Sequence, residues 1–559
     1  MVRGHFTLVL ILFSLCRPSW AQQAVRPEDT HVAAAESAIT EPALRGHIRF
    51  LASDLLEGRG PASRGDELTQ QYLAAQFESL GLKPAAPGGG WFQPVPLVGV
   101  TARVPEAATF RQGEKSLELK RHDDFVFAAG KAQPQVKLDD AEVVFVGYGI
   151  EAPEYKWDDF KGADLRGKIL LFMNNDPSDD PALFAGKRRL YYGRWDYKYE
   201  SAARQGAAGA LIIHTTPSAG YPFQVVQTSW SGEEFELDQD AGPRVDLRGW
   251  LTEDASRRLA SLAGHDLEKL RAAAERRDFK PVPLGVQLSI AFACDVRKQQ
   301  TGNVIAMLPG SDPELSKQAV VFMAHHDHLG LAAQRDAQGD NIYNGAVDNA
   351  AGTAALLTIA RACAALRERP GRSILFAAVG AEEQGLLGSQ YFAAHPPLPA
   401  GNLAAVVNID GLNIIGLTQD VNVIGYGKSD LDKLVDGVAR WQKRVVTPDQ
   451  FPDRGYYYRS DQFSLAKVGV PGVYLHSGIN VIGKPEGWGK RQLEEWTQTK
   501  YHQPSDEYDE SWDLRGAVED VRLLYYLGLH AAKRPELPQW NRGDEFEAAR
   551  KAAIEALPK

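Results

Sequence analysis

At 559 residues the chain is too long for one ordinary hydrophobic core, so two or three domains are expected. Its 44% hydrophobic and 24% charged residues are those of a globular protein and exclude wholesale disorder. A formal net charge of −10 excludes nucleic acid as the main partner, since phosphate binding needs a basic surface; acidity of this size serves solubility.

The chain opens like a secretory signal. Arg3 precedes an apolar stretch from Phe6 to Leu15, and Ser19-Trp20-Ala21 offers small residues for cleavage before Gln22. Residues 1–21 are therefore read as a signal peptide, too short to anchor in a membrane. Cys16 invites a lipoprotein reading, but Leu15 before it and Arg17 after it fit that badly. Cleavage leaves only Cys294 and Cys363, too few for a disulfide framework. No later stretch has the length of a membrane span, so the expected location is the periplasm or the medium.

In the next part, 22–99, Leu44, Ile48, Leu51 and Leu55 fall on one helical face, and Leu68, Leu73, Phe77 and Leu80 continue in a second helix. Gly58-Arg59-Gly60-Pro61 forces a loop between them. From 100 to 296 strands alternate with turns (141–146, 168–172, 210–214), with a short helical stretch near 199–205. Histidines and paired carboxylates do not cluster there, and the segment reads as a separate, non-catalytic α/β module. Strand–helix alternation then runs through 297–535, the main domain, and 536–559 forms a charged, Ala-rich helical tail.

Three apolar, β-branched-rich runs in the main domain each lead into metal-binding residue types. Ala319 to Ala324 ends in His325-His326-Asp327-His328, Ile374 to Val379 leads into Glu382-Glu383, and Leu403 to Ile409 ends in Asp410. Such runs, separated by helix-length segments, are buried parallel strands. In open α/β sheets ligands bind outside the carboxyl ends of the strands. The fold class is thus α/β, a mixed, mostly parallel sheet flanked by helices, with a smaller inserted domain.

Each candidate also has an ordinary explanation. His325 and Asp327 project together from an extended strand, but the same spacing would allow His326 with His328, so strand period leaves the register open. Asp348, in a small-residue loop before the helical pattern of Thr353 to Leu366, could simply cap that helix. Asp410 could start a turn, and a lone loop histidine such as His502 is usually surface. The pair Glu382-Glu383 is sharper. Adjacent carboxylates behind a buried strand repel each other unless a cation or proton separates their roles, and one binding metal while the other shuttles a proton explains the pair. Together, two histidines and three carboxylates can hold two zinc ions, one carboxylate bridging.

The motifs Ala324-His325-His326-Asp327-His328-Leu329-Gly330, Tyr343 to Gly352, Gly380 to Ser389, Asn408-Ile409-Asp410 and Tyr501 to Asp506 resemble the M28 family of zinc aminopeptidases. The resemblance is to secreted bacterial members with an inserted protease-associated (PA) domain, for which 144–148 and 206–214 speak. It implies that His325 binds metal while Asp327 orients it, that Asp348 bridges two Zn2+ ions, and that Glu382 is the general base. It implies further that Glu383 and His502 hold one zinc, that His325 and Asp410 hold the other, and that the peptide Asp348–Asn349 is often cis. The implied reaction is hydrolysis of peptides with a free N-terminus, aided by a tyrosine of the Tyr456–Tyr458 run.

Three positions depart from the pattern: Val347 for a second aspartate, Ala351 for a serine, and Gln462 for a histidine expected to line the substrate side. A carboxypeptidase of the glutamate-carboxypeptidase type uses the same ligands and would need arginines for a terminal carboxylate, with Arg454 and Arg459 the candidates. A glutaminyl cyclase needs one zinc only, against which the retained His325 and Asp410 argue. A binding module without metal is opposed by the complete ligand set.

Overall fold

The computed structural model describes residues 30–558 apart from 179, 182, 231, 239–241 and 337. The signal-peptide reading of 1–21 lies outside these residues. The three apolar runs are neighbouring strands. Ala319–His325 pairs in parallel with Ser373–Val379 on one side and with Leu403–Asn408 on the other. Leu403–Asn408 in turn pairs in parallel with Gly472–His476. All residues of the first three strands are buried, which is why they read as unbroken hydrophobic runs and not as alternation.

Helices cover both faces. Val320, Phe322 and Ala324 pack with helix Gly352–Ala364, helix Arg515–Lys533 and the N-terminal helix Glu41–Leu51. Val321 and Met323, pointing the other way, meet Phe392 and Leu465. The segment 22–99 thus contributes helices to the main core, and Thr40 and Ser63 cap Glu41–Leu51 and Arg64–Ser79 through their side-chain oxygens. Both remaining cysteines are buried and unpaired. Among the described residues no helix is long and apolar enough to cross a membrane.

The insert leaves the main sheet as a pair of strands. Phe92–Ala102 runs antiparallel to the long strand Val282–Leu308, with Ala102 opposite Cys294 and Phe92 opposite Val304. The far end of that long strand joins a second sheet through Gln135–Phe145. There Gln135–Phe145, Ile169–Met173, Gly209–His214 and Leu247–Thr252 follow one another in parallel. This sheet has its own buried clusters. The expected boundaries at 100 and 296 fall inside the two connecting strands. The insert then folds back on the main domain: the Arg189 N–H donates to the Pro452 carbonyl at 2.9 Å, and the Tyr191 ring stacks on Phe463 at 5.3 Å.

Candidate metal centre

The expected ligands come together at the carboxyl ends of the central strands. His325 closes its strand, Glu382 and Glu383 follow Ser373–Val379, and Asp410 follows Leu403–Asn408. Asp348 stands in the turn that enters helix Gly352–Ala364, and His502 in the loop after Trp488–Thr499. The Asp348–Asn349 peptide is cis.

Asp348 is the common member. Its Oδ1 lies 3.3 Å from His325 Nε2 and its Oδ2 3.4 Å from His502 Nε2. On the first side Asp410 Oδ1 is 3.4 Å from His325 Nε2. On the second, Glu383 Oε2 is 3.0 Å from His502 Nε2. Ligand atoms of His325, Asp348 and Asp410 lie within 4.8 Å of one another, as do those of His328, Asp348 and Glu383. The Nε2 of His502 is buried and makes no hydrogen bond among the described residues. A buried imidazole nitrogen that faces two carboxylates without hydrogen-bond geometry, in a nitrogen–oxygen donor set, fits a zinc-type cation.

Electrostatics point the same way. Burial lowers the pKa of His325, but Glu382, Asp327, Asp348 and Asp410 outweigh it and raise the imidazole well above its ordinary value. His502 behaves alike: burial opposes, Glu383 and Asp348 win, and its pKa stands at about 9. Glu383 goes down to about 2 despite burial and nearby Asp348, because His502 and His328 hold it ionised. Glu382 goes the other way, raised well above the ordinary range by burial and by the acids Glu383, Asp461 and Asp410. Two neighbouring glutamates are thus pushed in opposite directions, the pattern that separates a ligand from a proton carrier.

The supporting contacts explain the loop sequences. The Asp327 carboxylate accepts the backbone N–H of Glu382 (3.1 Å) and of Glu383 (3.4 Å), while its Oδ1 lies 3.7 Å from His325 Nδ1. It therefore fixes the glutamate pair, while His325 Nδ1 lies 3.3 Å from the Asp327 backbone carbonyl. Asn349 ties three loops: its Nδ2 donates to the carbonyls of His325 and Ile409, and its Oδ1 accepts from Gly352 and Gly411. Asp506 accepts from the N–H of Val347 and Asp348. Gly345, at φ +54°, is required: a Cβ there would lie 2.2 Å from the Asp348 carbonyl and 2.5 Å from the His328 ring.

Several of these partners were not singled out from sequence. His328 Nδ1 meets Glu383 Oε1 at 2.6 Å, whereas His326 points away to Asp66 at 3.0 Å. Arg59 is fully buried behind the centre, its guanidinium donating to the carbonyls of Leu51, His326, Asn344 and Gly345. Ser460 Oγ donates to Asp410 Oδ2 at 2.6 Å.

One expectation needs correction and two others become narrower. Gln462 does not line a substrate surface: it has no exposed area, its Oε1 accepts from Asn408 Nδ2 and its Nε2 donates to the Tyr457 carbonyl. It lies on helix Gln462–Lys467, whose Leu465 packs under the sheet while Phe463 and Ala466 join the core of Tyr457 and Tyr458. Of the tyrosine run only Tyr456 lines the cavity; Tyr457 packs in a separate core and the Tyr458 hydroxyl donates to Glu545. The insert, read from sequence as a separate module, reaches the centre: Ser229 Oγ lies 2.8 Å from His502 Nδ1 and Tyr221 lines the cavity.

That cavity, of about 190 Å³, opens beside Asp348, Glu382, Glu383 and Asp410, with Leu412, Ile414, Phe451, Tyr456, Tyr474 and Trp496 among its walls. At its edge Arg459 sits over the rings of Tyr221, Tyr456 and Tyr501 and donates to the Tyr501 hydroxyl at 3.0 Å.

Residues 303–526 match the family model described as Peptidase family M28. Leupeptin-inactivating enzyme 1 of Streptomyces exfoliatus is 29% identical over 193 residues, 34% of this chain and 39% of that protein. A probable glutamate carboxypeptidase AMP1 of Arabidopsis thaliana is 25% identical over 529 residues, 84% of this chain and 65% of that one. The chain thus spans less than two thirds of the length of these relatives. Among solved structures, an aminopeptidase from Aneurinibacillus sp. strain AM-1 superposes with a TM-score of 0.53 at 19% identity, over 90% of this chain and 97% of that one. That likeness is one of fold.

Proposed function

From the premise that residues 303–526 are a peptidase domain of family M28, we propose that the chain is an exported aminopeptidase with two zinc ions, releasing N-terminal residues from peptides. The observation that carries this reading is the Asp348 carboxylate, with one oxygen toward His325 and the other toward His502. His325 and Asp410 would hold one ion, Glu383 and His502 the other, and Asp348 both. Bound there, zinc supplies Lewis acidity toward the scissile carbonyl and makes a water acidic at neutral pH.

The protein's own groups account for the rest. Glu382, lining the cavity and with its pKa raised, takes the proton of the attacking water and returns it to the leaving amine. Asp327 holds the glutamate loop through two backbone N–H groups, so that Glu382 and Glu383 keep distinct directions. Tyr456, the tyrosine of its run that lines the cavity, would donate toward a developing oxyanion. Apolar walls suit a large hydrophobic N-terminal side chain, and the cluster of carboxylates suits a free α-ammonium group. The insert is read as a PA-like domain at 100–296.

One observation favours a second reading, a carboxypeptidase of the glutamate-carboxypeptidase type. Arg459 has aromatic neighbours but no carboxylate partner among the described residues, so it could grip a substrate carboxylate. Initial rates on aminoacyl-p-nitroanilides, on their N-acetylated forms and on N-blocked dipeptides with a free carboxylate, before and after chelation and zinc restoration, separate the two. Hydrolysis that needs a free amine and returns with zinc is the expected result. Cleavage confined to N-blocked dipeptides with a free carboxylate would transfer the assignment to the second reading.

A further inference from the structure

The two proposed metal positions are not built from the same part of the molecule. His325 and Asp410 take their support from the main domain: Asp327 beside His325 Nδ1, and Ser460 donating to Asp410. The other position is reached by the insert. At the C-terminal end of helix Phe223–Ser229, Ser229 Oγ lies 2.8 Å from His502 Nδ1. Beside it Gln224 Nε2 donates to Gln503 Oε1 at 2.8 Å. On the Glu383 side, the Phe235 N–H donates to Oε1 of Gln384 at 3.0 Å. The insert therefore touches both loops that carry the ligands of one position, and it does so through hydrogen bonds of good length.

The contact at Nδ1 has a chemical consequence. For His502 to offer a lone pair at Nε2, its proton must sit on Nδ1, and that N–H needs an acceptor. Ser229 Oγ is the acceptor the described residues provide, so the insert fixes both the tautomer and the ring orientation. Histidine ligands depend on such a partner for basicity and direction, and its loss typically weakens metal binding or activity by about 10- to 100-fold.

Resting on the two-zinc reading above, we propose that Ser229 is a positioning residue for His502. The Glu383–His502 position is then complete only when the insert is docked, whereas the His325–Asp410 position is complete without it. The chain would hold one zinc by its main domain and a second by the joint action of two domains.

The test is zinc uptake by the full chain, followed by competition with a chromophoric chelator, with the absorption spectrum of the cobalt-loaded protein as a readout independent of turnover. Ser229→Ala should weaken one of two zinc sites by about 10- to 100-fold, leave the other as in the wild type, and alter the cobalt spectrum. Ser229→Thr, which keeps the hydroxyl, should restore affinity and spectrum. Thr228→Ala, on the same helix and bonded only within it, should change neither. Two zinc ions bound with unchanged affinities and spectrum in Ser229→Ala would overturn the inference alone. A wild-type chain that takes up no second zinc would overturn it together with the reading on which it rests.

Discussion

His325 ends one strand of the central sheet and Asp410 follows the end of the next, and the groups beside them, Asp327 and Ser460, belong to the same domain. Glu383 and His502 stand on loops, and the insert reaches both. The first half of the centre inherits its precision from a buried parallel sheet. The second acquires it from docking between two separately cored regions, joined where Arg189 meets Pro452 and Tyr191 meets Phe463. Side chains on rigid elements are placed better than those on loops, so a loop-borne ligand needs a partner from elsewhere. The difference locates the weaker half of the centre.

The strongest test of the shared geometry is at the bridge. Asp348→Asn should lose both metal ions and all measurable activity, because it serves both halves. Glu382→Gln should keep its full metal content while kcat falls by about 10²- to 10⁴-fold, the usual worth of a general base. Metal analysis alongside rate measurement checks both, and retention of both ions in Asp348→Asn would refute the bridge.

Arg59 sharpens the comparison from behind. Its guanidinium satisfies carbonyls on the His326 segment and on Asn344–Gly345, which flank His325 and lead into the shared Asp348. Burial brings its pKa down only to about 10, so it stays charged at neutral pH. Arg59→Met strands several buried acceptors and should destabilise folding by about 3 kcal/mol or more, measured by urea unfolding.

A smaller, pH-dependent effect is expected at the insert-supported half. In the metal-free protein the His502 pKa is raised from 6.5 to about 9. A raised histidine contributes stability that is fully present below pH 6.5 and lost as pH climbs through 9. Protonated imidazole also competes with metal, so zinc affinity at this half should grow over the same interval. Melting curves with chelator and zinc titrations at several pH values would show both trends. The smallest effect is expected at Gln462: Gln462→His should leave the ranking of substrates unchanged, since the side chain faces Asn408 and the Tyr457 carbonyl.

Much of this was legible in the chain because a buried parallel strand announces itself as an apolar run and its end is a fixed place in space. Ala319–His325, Ser373–Val379 and Leu403–Asn408 therefore delivered His325, Glu382, Glu383 and Asp410 together. The histidine cluster was harder to read. Alternation holds only along a strand, and the strand stops at His325; beyond it His326 turns to Asp66 while His328 rejoins the centre at Glu383. Arg59 and Ser229 left no sequence signal, since one hides in a Gly-rich loop and the other ends a short helix more than 250 residues from its histidine partner. Gln462 was misplaced because a motif position specifies a neighbour in sequence and not the side of a helix.

The pairing of Ala102 with Cys294 gives the insert an unusual topological status. The chain between those residues leaves from the tip of what is, for the main sheet, a β-hairpin, and its strand Glu234–Leu237 returns to pair with Leu97–Val100 of that hairpin. A tight turn joining the two strands there would leave the register from Phe92 to Val304 intact. Because a hairpin ribbon is continuous with the sheet it springs from, the insert's freedom relative to the metal ligands is that of a twisting ribbon and not of a hinged flap. Whatever passes over the cavity must do so past a domain braced both by that ribbon and by its contacts at Pro452 and His502, not swung.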